Sequence, residues 1–500
     1  MVSAIYIIAV GLGTAFLLGL LKPARKDLAF LLTIVALAFM SWVALDWTVA
    51  LSRGAVAPTT ILTAGTQPPF AINLFIGTAE AWLLTVINVT GLLSAFYMYD
   101  ALRRLGRGAM AVLLVMVMAL SGLVMTRDAF NLFVFFELIV IATGGLVLLS
   151  EDARAVAAGF KYLVVSQIIS ILLLIGVVFT YHANGSLNID DFAAVPLAFK
   201  GASLAMFLLL MALVLELKPF PANGWALDIY ESAHPGFSAI FSAASGTAAL
   251  FAADKLAAAA GAEWLPMLTG LGLLSFIGSN VLALAQDNDR RLLGYSSVGQ
   301  IGLVLAIVGQ RDILGDSYFF VAGGVLITHA VAKAGLFWLS GLVPTRALTD
   351  WAILRVNPLL IFAFASFVAM LVGLPPFPSF YAKWDLVHAL VAADRYWIIG
   401  FVLLGALIEA GYMFRFFGYA IKRETTEKFP RFAVDKVGVV VAALAAGWAL
   451  GFAWGAASGN TNLLTLVPFL FALAFLVLEP LPAWVKNILA IAGLVAWFWL

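Results

Sequence analysis

The chain has 500 residues, of which 64% are hydrophobic and 11% are charged, and its mean hydropathy is +1.06. Soluble domains carry about 25% charged residues, so this composition indicates a polytopic membrane protein. The net charge of +1 comes from 28 basic and 27 acidic residues, which leaves no basic surface for nucleic acid. The lack of cysteine excludes disulfides, thiolate-held iron–sulfur clusters and cysteine zinc sites.

The four histidines are a poor basis for haem or metal binding, because they lie in four separate segments. We therefore expect no cofactor in this chain, and any coupled electron transfer would take place in other subunits. The first apolar segment, residues 2–21, has neither a basic n-region nor a small-residue cleavage site. We interpret it as a retained membrane helix and not as a signal peptide.

A membrane-spanning helix needs about 20 apolar residues. By this measure the chain is an all-α polytopic membrane protein with about 14–16 transmembrane helices. The predicted spans are 2–21, 28–51, 75–99, 109–126, 130–150, 157–181, 202–231 (broken), 236–260, 265–286, 292–309, 317–343, 357–392 (broken), 396–420, 437–457, 461–479 and 484–500.

The distribution of basic residues tests this order of spans. With the first loop in the cytoplasm, cytoplasmic loops hold seventeen of the 28 lysines and arginines, and the opposite loops hold six, including Lys255. Cytoplasmic loops of membrane proteins carry such an excess. We therefore predict an N-terminus on the outside.

Two of the spans are interrupted by prolines in similar stretches. LELKPFPANGWALDIY (215–230) holds Lys218 directly before two prolines, and PPFPSFYAKWDLVH (375–388) holds Lys383 shortly after its prolines. Proline removes a backbone donor and clashes with the preceding turn, so each helix must break there. Interrupted helices at matching places in two halves of a chain are typical of repeat-built transporters.

The breaks suggest a division into four parts. Residues 1–108 hold three N-terminal spans, residues 109–260 form a first five-helix unit with a proton half-channel, residues 261–420 form a second unit, and residues 421–500 hold C-terminal spans. Each unit has its break in its fourth helix. Because five is odd, the second unit enters the membrane from the opposite side, so we predict inverted repeats around a midplane site.

Ionisable residues inside predicted spans are rare and usually functional. Glu137 lies in an otherwise apolar span, and Lys218 and Lys383 lie at the breaks. The structural alternatives are a protonated Glu137 bonded to a carbonyl, a Lys218 that extends to the interface, and a Lys383 that is paired with Asp385.

Further ionisable residues lie in the central and late spans. His329 and Lys333 are four residues apart on one helical face, a plausible proton relay. Glu409 is either functional or the structural partner of Arg415. Three other carboxylates need no functional explanation, because their side chains can extend to the membrane surface near the ends of their spans: Glu216, Asp46 and Glu80. Burial lowers the pKa of a lysine and raises that of a carboxylic acid, so proton transfer is the chemistry that fits such a set.

Six stretches in order resemble the antiporter-like subunits shared by complex I, Mrp-type cation/proton antiporters and membrane-bound group 4 hydrogenases, most closely the D-type branch of the Mrp antiporters. The stretches are TRDAFNLFVFFELIVIA (126–142), KYLVVSQIIS (161–170), KPFPANGWALDIYESAHPG (218–236), DNDRRLLGYSSVGQIGLVL (287–305), THAVAKAGLFWLSG (328–341) and GLPPFPSFYAKWDL (373–386). The resemblance covers roughly residues 109–420.

The resemblance implies roles for particular residues. It implies that Glu137 pairs with Lys218, that His329 and Lys333 form a central relay, and that Lys383 is the terminal lysine. It also implies that the chain carries no redox cofactor and lies beside a quinone- or hydrogenase-type module that drives transport.

This sequence departs from the family pattern in two places. Many relatives have a lysine on the eighth helix, where this chain has small residues, and Lys255 comes later, at the outer end. The relay would cross that gap by water at Ser245 or Thr247. The second departure is His234, a loop histidine that is either incidental or a proton collector at the cytoplasmic entrance.

The leading hypothesis is a subunit that moves protons, with or without sodium ions, in a redox-driven complex such as a membrane-bound hydrogenase or quinone oxidoreductase. It would have no catalytic centre of its own, and would lie in a prokaryotic inner membrane beside other membrane subunits. The alternatives are a D-type component of a stand-alone Mrp-type sodium/proton antiporter and a non-pumping membrane scaffold. No motif for metal, nucleotide or nucleophilic chemistry supports a self-contained enzyme.

Overall fold

The computed structural model of the chain describes residues 1–66, 68, 71–148, 153–194, 202–421 and 433–459. Helix dominates because a backbone in lipid must satisfy its own hydrogen bonds. The α-helices are α1 (Ile5–Leu20), α2 (Lys26–Ser52), α3 (Thr78–Tyr97), α4 (Tyr99–Leu105), α5 (Arg107–Met125), α6 (Ala129–Leu148), α7 (Ala153–Asn184), α8 (Ile189–Ala194), α9 (Ala202–Glu216), α10 (Gly224–Ser232), α11 (Pro235–Ile240), α12 (Gly246–Ala260), α13 (Leu265–Ala283), α14 (Asp289–Val308), α15 (Arg311–Leu314), α16 (Tyr318–Ser340), α17 (Pro358–Val372), α18 (Pro378–Ala392), α19 (Tyr396–Ala420) and α20 (Val434–Ala457).

Four short segments have other helical geometries. A π-helix, Phe241–Ser245, joins α11 to α12, and 3₁₀-helices occupy Ala262–Trp264, Gly315–Ser317 and Leu348–Val356. The connection after α2 contains two antiparallel strands, β1 (Thr59–Leu62) and β2 (Asn73–Ile76), with Thr59 opposite Ile76. The sequence did not predict this small sheet.

The helices confirm an all-helical membrane protein that crosses the bilayer many times. Eleven helices of the described part are long and apolar enough to span. Three shorter apolar helices, Ile5–Leu20, Ser203–Glu216 and Pro358–Val372, coincide with other predicted spans. Helix therefore occupies each predicted span up to residue 457. The predicted spans at 461–479 and 484–500 lie outside the described residues, and the division into inverted units stays a prediction.

The interior of the bundle is built from α12, α14 and α16. Helix α14 packs against α10, α12, α13 and α16, and α16 packs against α11, α17, α18 and α20. In the most apolar stretch of α14, 94% of the residues are buried, compared with 33% for α19. Polar side chains on these three helices are therefore kept away from lipid, where ionisable groups would be costly.

Glycines bring α13 and α14 into close contact. A Cβ on Gly272 would lie 2.4 Å from the backbone nitrogen of Ala306, and a Cβ on Gly302 would lie 2.8 Å from that of Phe276. Small residues let membrane helices approach this closely. Helix α13 of this pair lies beside the first break, where Ser275 accepts from the backbone nitrogen of Phe220.

Candidate functional site

The first break holds Lys218 in a conformation that side chains rarely adopt. Its φ is 62°, and positive φ is unusual for a residue other than glycine. Helix α9 ends at Glu216, and the peptide between Phe220 and Pro221 is cis. The backbone nitrogen of Phe220 donates to Ser275 Oγ at 3.2 Å, so α13 satisfies a donor that the break leaves free.

The side chain of Lys218 is buried at this break. Lys218 is 3% exposed, and its Nζ lies 4.0 Å from the centroid of the Phe241 ring. A cation over an aromatic face is stabilised by the ring quadrupole. The π-helix therefore supplies the surface on which this ammonium group rests.

Glu137 lies against α7, and no hydrogen bond or ion pair joins it to Lys218. Its carboxylate accepts hydrogen bonds from Gln167 Nε2, at 3.2 and 3.3 Å, and from the hydroxyl of Ser170. Glu137 is half-buried, and Gln167 is exposed on the outer side of the bundle. A direct pair between Glu137 and Lys218, as the resemblance implied, is absent from the described structure.

The buried carboxylate nearest to Lys218 along the chain is Glu216, although no hydrogen bond or ion pair joins these two described side chains. Glu216 is 2% exposed, and its Oε2 has no hydrogen-bond partner in the described structure. The two side chains interact electrostatically within the same buried region. The expectation that Glu216 extends to the end of its span was wrong, because the break that follows it keeps this end of α9 inside the protein. Glu80, another supposed span-end carboxylate, is also buried.

His329 and Lys333 lie on α16, and both are almost fully buried. Lys333 Nζ donates to the carbonyl oxygen of Leu293 at 3.1 Å, so it bonds to α14 and not to His329. The imidazole of His329 lies near the backbone of Ser242, and neither ring nitrogen makes a hydrogen bond of good geometry among the described residues. It is within electrostatic reach of both Lys218 and Lys333, and the relay between these residues stays a prediction.

The eighth span is polar where relatives carry a lysine, and it includes Ser242 beside the predicted Ser245 and Thr247, whose part in a relay stays a prediction. Ser242 Oγ lies 2.7 Å from Ser297 Oγ, which lies 3.4 Å from the hydroxyl of Tyr230. Thr247 donates to the carbonyl oxygen of Ala243 on its own helix, and Ser245 is buried in the π-helix. The pattern of small residues did not reveal Ser242, because the π-helix changes which side chains face α14.

The second break holds Lys383 near its predicted position. Helix α17 ends at Val372, followed by Gly373 with a φ of 87°. Lys383 Nζ donates to the carbonyl oxygens of Leu371 and Val372, at 3.1 and 3.3 Å. The last carbonyls of a helix have no partner within it, so the lysine satisfies two of them.

Glu409 is the carboxylate that faces Lys383. Its Oε2 lies 3.9 Å from Lys383 Nζ, and the Glu409 side chain has no exposed surface. Gln300 Nε2 donates to the same oxygen, and Ser296 Oγ lies 3.4 Å from Oε1. Lys333 also interacts electrostatically with Glu409. Glu409 is therefore within ion-pair distance of the partly buried Lys383, and it also acts electrostatically on the buried Lys333.

Two suggested structural pairs are absent from the second half. Arg415 Nη2 donates to the carbonyl oxygen of Gln286 at 2.6 Å, so it is not the partner of Glu409. Asp385 is half-exposed and interacts electrostatically with His388 on the next turn of α18. The structural pairing of Lys383 with Asp385 is therefore replaced by the pair with Glu409.

Lys255 is a buried lysine whose position the sequence did not reveal. It lies within α12, is 5% exposed, and donates to the carbonyl oxygens of Leu123, Val124 and Thr126 at 2.9, 3.0 and 2.8 Å. These carbonyls end α5, so all three ammonium protons complete the hydrogen bonding of a helix terminus. Its assignment to an outer loop was therefore wrong.

His234 is not a free loop histidine. It precedes α11, is half-buried, and its Nδ1 accepts a hydrogen bond from the backbone nitrogen of Gly236 at 3.2 Å. Burial, followed by the positive charges of Lys436, Arg290 and Arg104, lowers the pKa of His234 to about 4. A histidine that is neutral at pH 7 and caps a helix is poorly suited to collecting protons there.

An ion cluster joins the two halves near His234. Asp228 accepts from Lys161 Nζ at 2.8 Å and from Arg291 Nη1 at 3.2 Å, and Arg291 also donates to Glu231 at 2.9 Å. These residues lie on α7, α10 and α14. The cluster is partly exposed, and it joins α10, which follows the first break, to α7 and α14.

Comparisons with known proteins identify the family of the chain. A family model described as NADH:quinone oxidoreductase/Mrp antiporter, TM, matches residues 126–409. The chain is 28% identical to NADH-quinone oxidoreductase subunit N of Desulforudis audaxviator over 373 residues, which cover 70% of this chain and 73% of that protein. It is 26% identical to the D subunit of the Na(+)/H(+) antiporter of Alkalihalophilus pseudofirmus over 411 residues, which cover 77% of this chain and 81% of that protein.

Two solved structures have the same fold. A chain of the Mrp complex from a Dietzia species superposes with a TM-score of 0.81 and 21% identity, covering 92% of this chain and 96% of that one. A chain of the membrane-bound sulfane sulfur reductase, an archaeal respiratory membrane complex, superposes with a TM-score of 0.80 and 24% identity, covering 92% of this chain and 97% of that one. Since the family match spans more than half of its length, the chain belongs to the family of antiporter-like membrane subunits found in NADH:quinone oxidoreductase and Mrp antiporters.

Proposed function

We propose that this chain translocates protons within a complex I-related, redox-driven respiratory complex, such as a membrane-bound hydrogenase or a quinone oxidoreductase. The observation that carries the proposal is a set of buried ionisable side chains that extends from one helix break to the other. Lys218 lies at the first break, His329 and Lys333 lie at the centre, and Lys383 lies at the second break. Ionisable groups in such positions are typical of ion routes.

Proton transfer fits the chemistry of these groups better than binding of a metal ion. Among the described residues, no three His, Asp or Glu side chains lie close enough together to hold a metal ion. The three lysines can give up and regain a proton, and the free nitrogens of His329 can accept one and pass it on. Glu409 supplies the negative charge that both Lys333 and Lys383 require.

Transport would proceed through changes in this set of charges. One carboxylate between two ammonium groups leaves a net positive charge in an environment of low dielectric constant, where interactions between charges are strong. Loss of a proton from either lysine removes that excess. A neighbouring subunit that changes the charge near Lys218 or Lys383 would therefore drive a proton along these side chains. Glu137 would exchange protons at the outer side of the bundle, beside the first break.

A stand-alone Mrp-type sodium/proton antiporter is the second candidate. Its support is the 81% coverage of the D-type antiporter relative and the likeness to the Mrp complex chain. The genes beside this one distinguish the two candidates. Hydrogenase-like or quinone-oxidoreductase subunits would favour the redox-driven complex, whereas small Mrp-type subunits alone would favour the antiporter.

The decisive experiment substitutes Lys218→Ala in the assembled complex reconstituted into vesicles. We expect formation of the pH gradient to fall by at least about 100-fold, since a proton-transfer group contributes that much or more. The matched control is Lys26→Ala, which removes an exposed lysine at the start of α2. The redox or exchange rate and the subunit content are measured in the same preparations. Unchanged transport in Lys218→Ala would refute the proposal and favour a non-pumping scaffold.

A further inference from the structure

We propose that Glu216 is the charge partner of Lys218, and that the hydroxyls of Thr143, Tyr162 and Ser166 carry protons to it from Glu137. This inference rests on the proposed function, and it supplies the connection that the separation of Glu137 from Lys218 leaves open. We call Thr143, Tyr162 and Ser166 the hydroxyl cluster.

The first step is the spacing of polar residues on α7. Ser170 bonds to Glu137, Ser166 lies one turn before it, and Tyr162 lies one turn earlier again. Residues four apart lie on one face of a helix. This face therefore carries three hydroxyls over about 12 Å of helix length, starting at the carboxylate of Glu137.

The second step is the position of Tyr162 beside the first break. Its ring lies 6.1 Å from the ring of Phe241 in an edge-to-face arrangement. The same Phe241 ring carries the ammonium group of Lys218 on its face. Tyr162 interacts electrostatically with both Glu216 and Glu137, and its hydroxyl lies near those of Thr143 and Ser166. The row of hydroxyls on α7 therefore runs from Glu137 to the surroundings of Lys218.

The third step is that these polar atoms are buried and have no partner outside the cluster. The members of the hydroxyl cluster have no exposed surface. The Tyr162 hydroxyl interacts with those of Thr143 and Ser166, and no other described group satisfies these oxygens or Oε2 of Glu216. Buried polar groups nearly always have a partner, and a set of several in one place is suited to binding internal water. Hydroxyls linked in this way both donate and accept, so they can pass protons in either direction.

The transfer conserves protons at every step. Glu137 takes up a proton at the exposed side of the bundle and releases it to the hydroxyl cluster. Each hydroxyl gains one proton and passes another on, and the carboxylate of Glu216 accepts the last. Neutral Glu216 no longer stabilises the ammonium group of Lys218, which then releases its proton toward His329. Lys218 and His329 are within electrostatic reach of each other. The groups return to their starting states when Glu216 passes its proton to Lys218 and His329 passes its proton on toward Lys333.

The test uses the assembled complex in vesicles, with Glu216→Gln and Tyr162→Phe. Glu216→Gln retains the shape of the side chain and removes its charge, and we expect proton transport to fall at least tenfold. Tyr162→Phe retains the ring that packs on Phe241 and removes only the hydroxyl, and we expect a fall of about fivefold, deepened by Ser166→Ala. Tyr97→Phe is the control for loss of a buried hydroxyl, because Tyr97 donates to the Trp338 carbonyl oxygen outside this route.

The outcomes separate this inference from the proposed function. If Lys218→Ala abolishes transport while Glu216→Gln, Tyr162→Phe and Ser166→Ala all stay within twofold of the unmodified complex, the inference fails and the proposed function survives. If Lys218→Ala also transports normally, both fail. If Glu216→Gln does not assemble, Tyr162→Phe with Ser166→Ala decides. A carboxylic acid band in infrared difference spectra that is absent from Glu216→Gln would identify the proton on Glu216 directly, and an unaltered spectrum would contradict it.

Discussion

The two helix breaks look alike in sequence and differ in how they hold their lysines. At the first break, Lys218 lies on the Phe241 ring, and the buried carboxylate of Glu216 is two residues away on the same chain segment. At the second break, Lys383 bonds to two helix-terminal carbonyls and faces Glu409 on another helix. The carboxylate proposed for the first lysine comes from its own segment, whereas the carboxylate that faces the second lysine also interacts with Lys333. Related breaks therefore create different charge balances, because neighbouring helices supply the partners.

Among the carboxylate substitutions that compare the two breaks, Glu409→Gln has the largest expected effect, because Lys333 and Lys383 share this carboxylate. The substitution leaves Lys333 and Lys383 without a buried negative charge, and we expect proton transport to fall by about 100-fold, as for loss of a proton-transfer group. The measurement is the initial rate of pH gradient formation in vesicles. Glu263→Gln, which changes an exposed carboxylate in the 3₁₀-helix Ala262–Trp264, is the control. A loss of less than twofold would show that the second break does not depend on this pair.

Glu137→Gln tests the first break, where Glu137 does not contact Lys218, in contrast to Glu409 and Lys383 at the second break. The amide can still contact Gln167 and Ser170 but cannot exchange a proton, so we expect a fall of about tenfold in transport with assembly retained. The rate is measured as before, and Asp46→Asn on α2 is the control. A loss as severe as that of Lys218→Ala would indicate that Glu137 is an obligatory partner of Lys218. Normal transport would indicate that protons enter without it.

Lys255→Met tests whether a buried lysine outside the proposed proton route matters for transport. The substitution leaves three carbonyl oxygens at the end of α5 without their donor. We expect a loss of about 3 kcal/mol in stability, because unsatisfied buried acceptors are costly. The readout is the midpoint temperature of unfolding of the purified complex. Transport per assembled complex should stay within twofold, and a selective loss of transport would place Lys255 on the proton route.

His234→Gln is expected to have the smallest effect, confined to acidic pH. The pKa of His234 is lowered to about 4, and an unfolded histidine titrates near about 6.5. Between these values the unfolded chain binds more protons, so stability decreases as the pH falls through this range. The substitution should flatten that dependence and leave transport at pH 7 unchanged. Unfolding midpoint temperatures at several pH values measure how the stability depends on pH. Reduced transport at pH 7 would instead support a role of His234 in collecting protons at the cytoplasmic entrance.

Much of the fold was predictable, because long apolar runs and prolines act locally. Hydrophobic length predicted the spans that the structure describes, and Lys218 and Lys383 marked both breaks. The two strands after α2 were missed because each has only four residues. The depth of Glu216 was also missed, because a carboxylate at the end of one helix segment looks exposed until the chain beyond it folds back.

The sequence alone determined the class of protein, the two breaks and the residue types that can carry protons. These follow from composition and from the chemistry of proline and ionisable groups, which act without regard to distant contacts. Only the tertiary structure decided the partners. Glu409 meets Lys383, Glu137 meets α7, and Lys255 meets the end of α5 because helices far apart in the chain pack together. Charge pairing depends on distances of a few ångströms between helices, and the order of residues along the chain does not specify those distances.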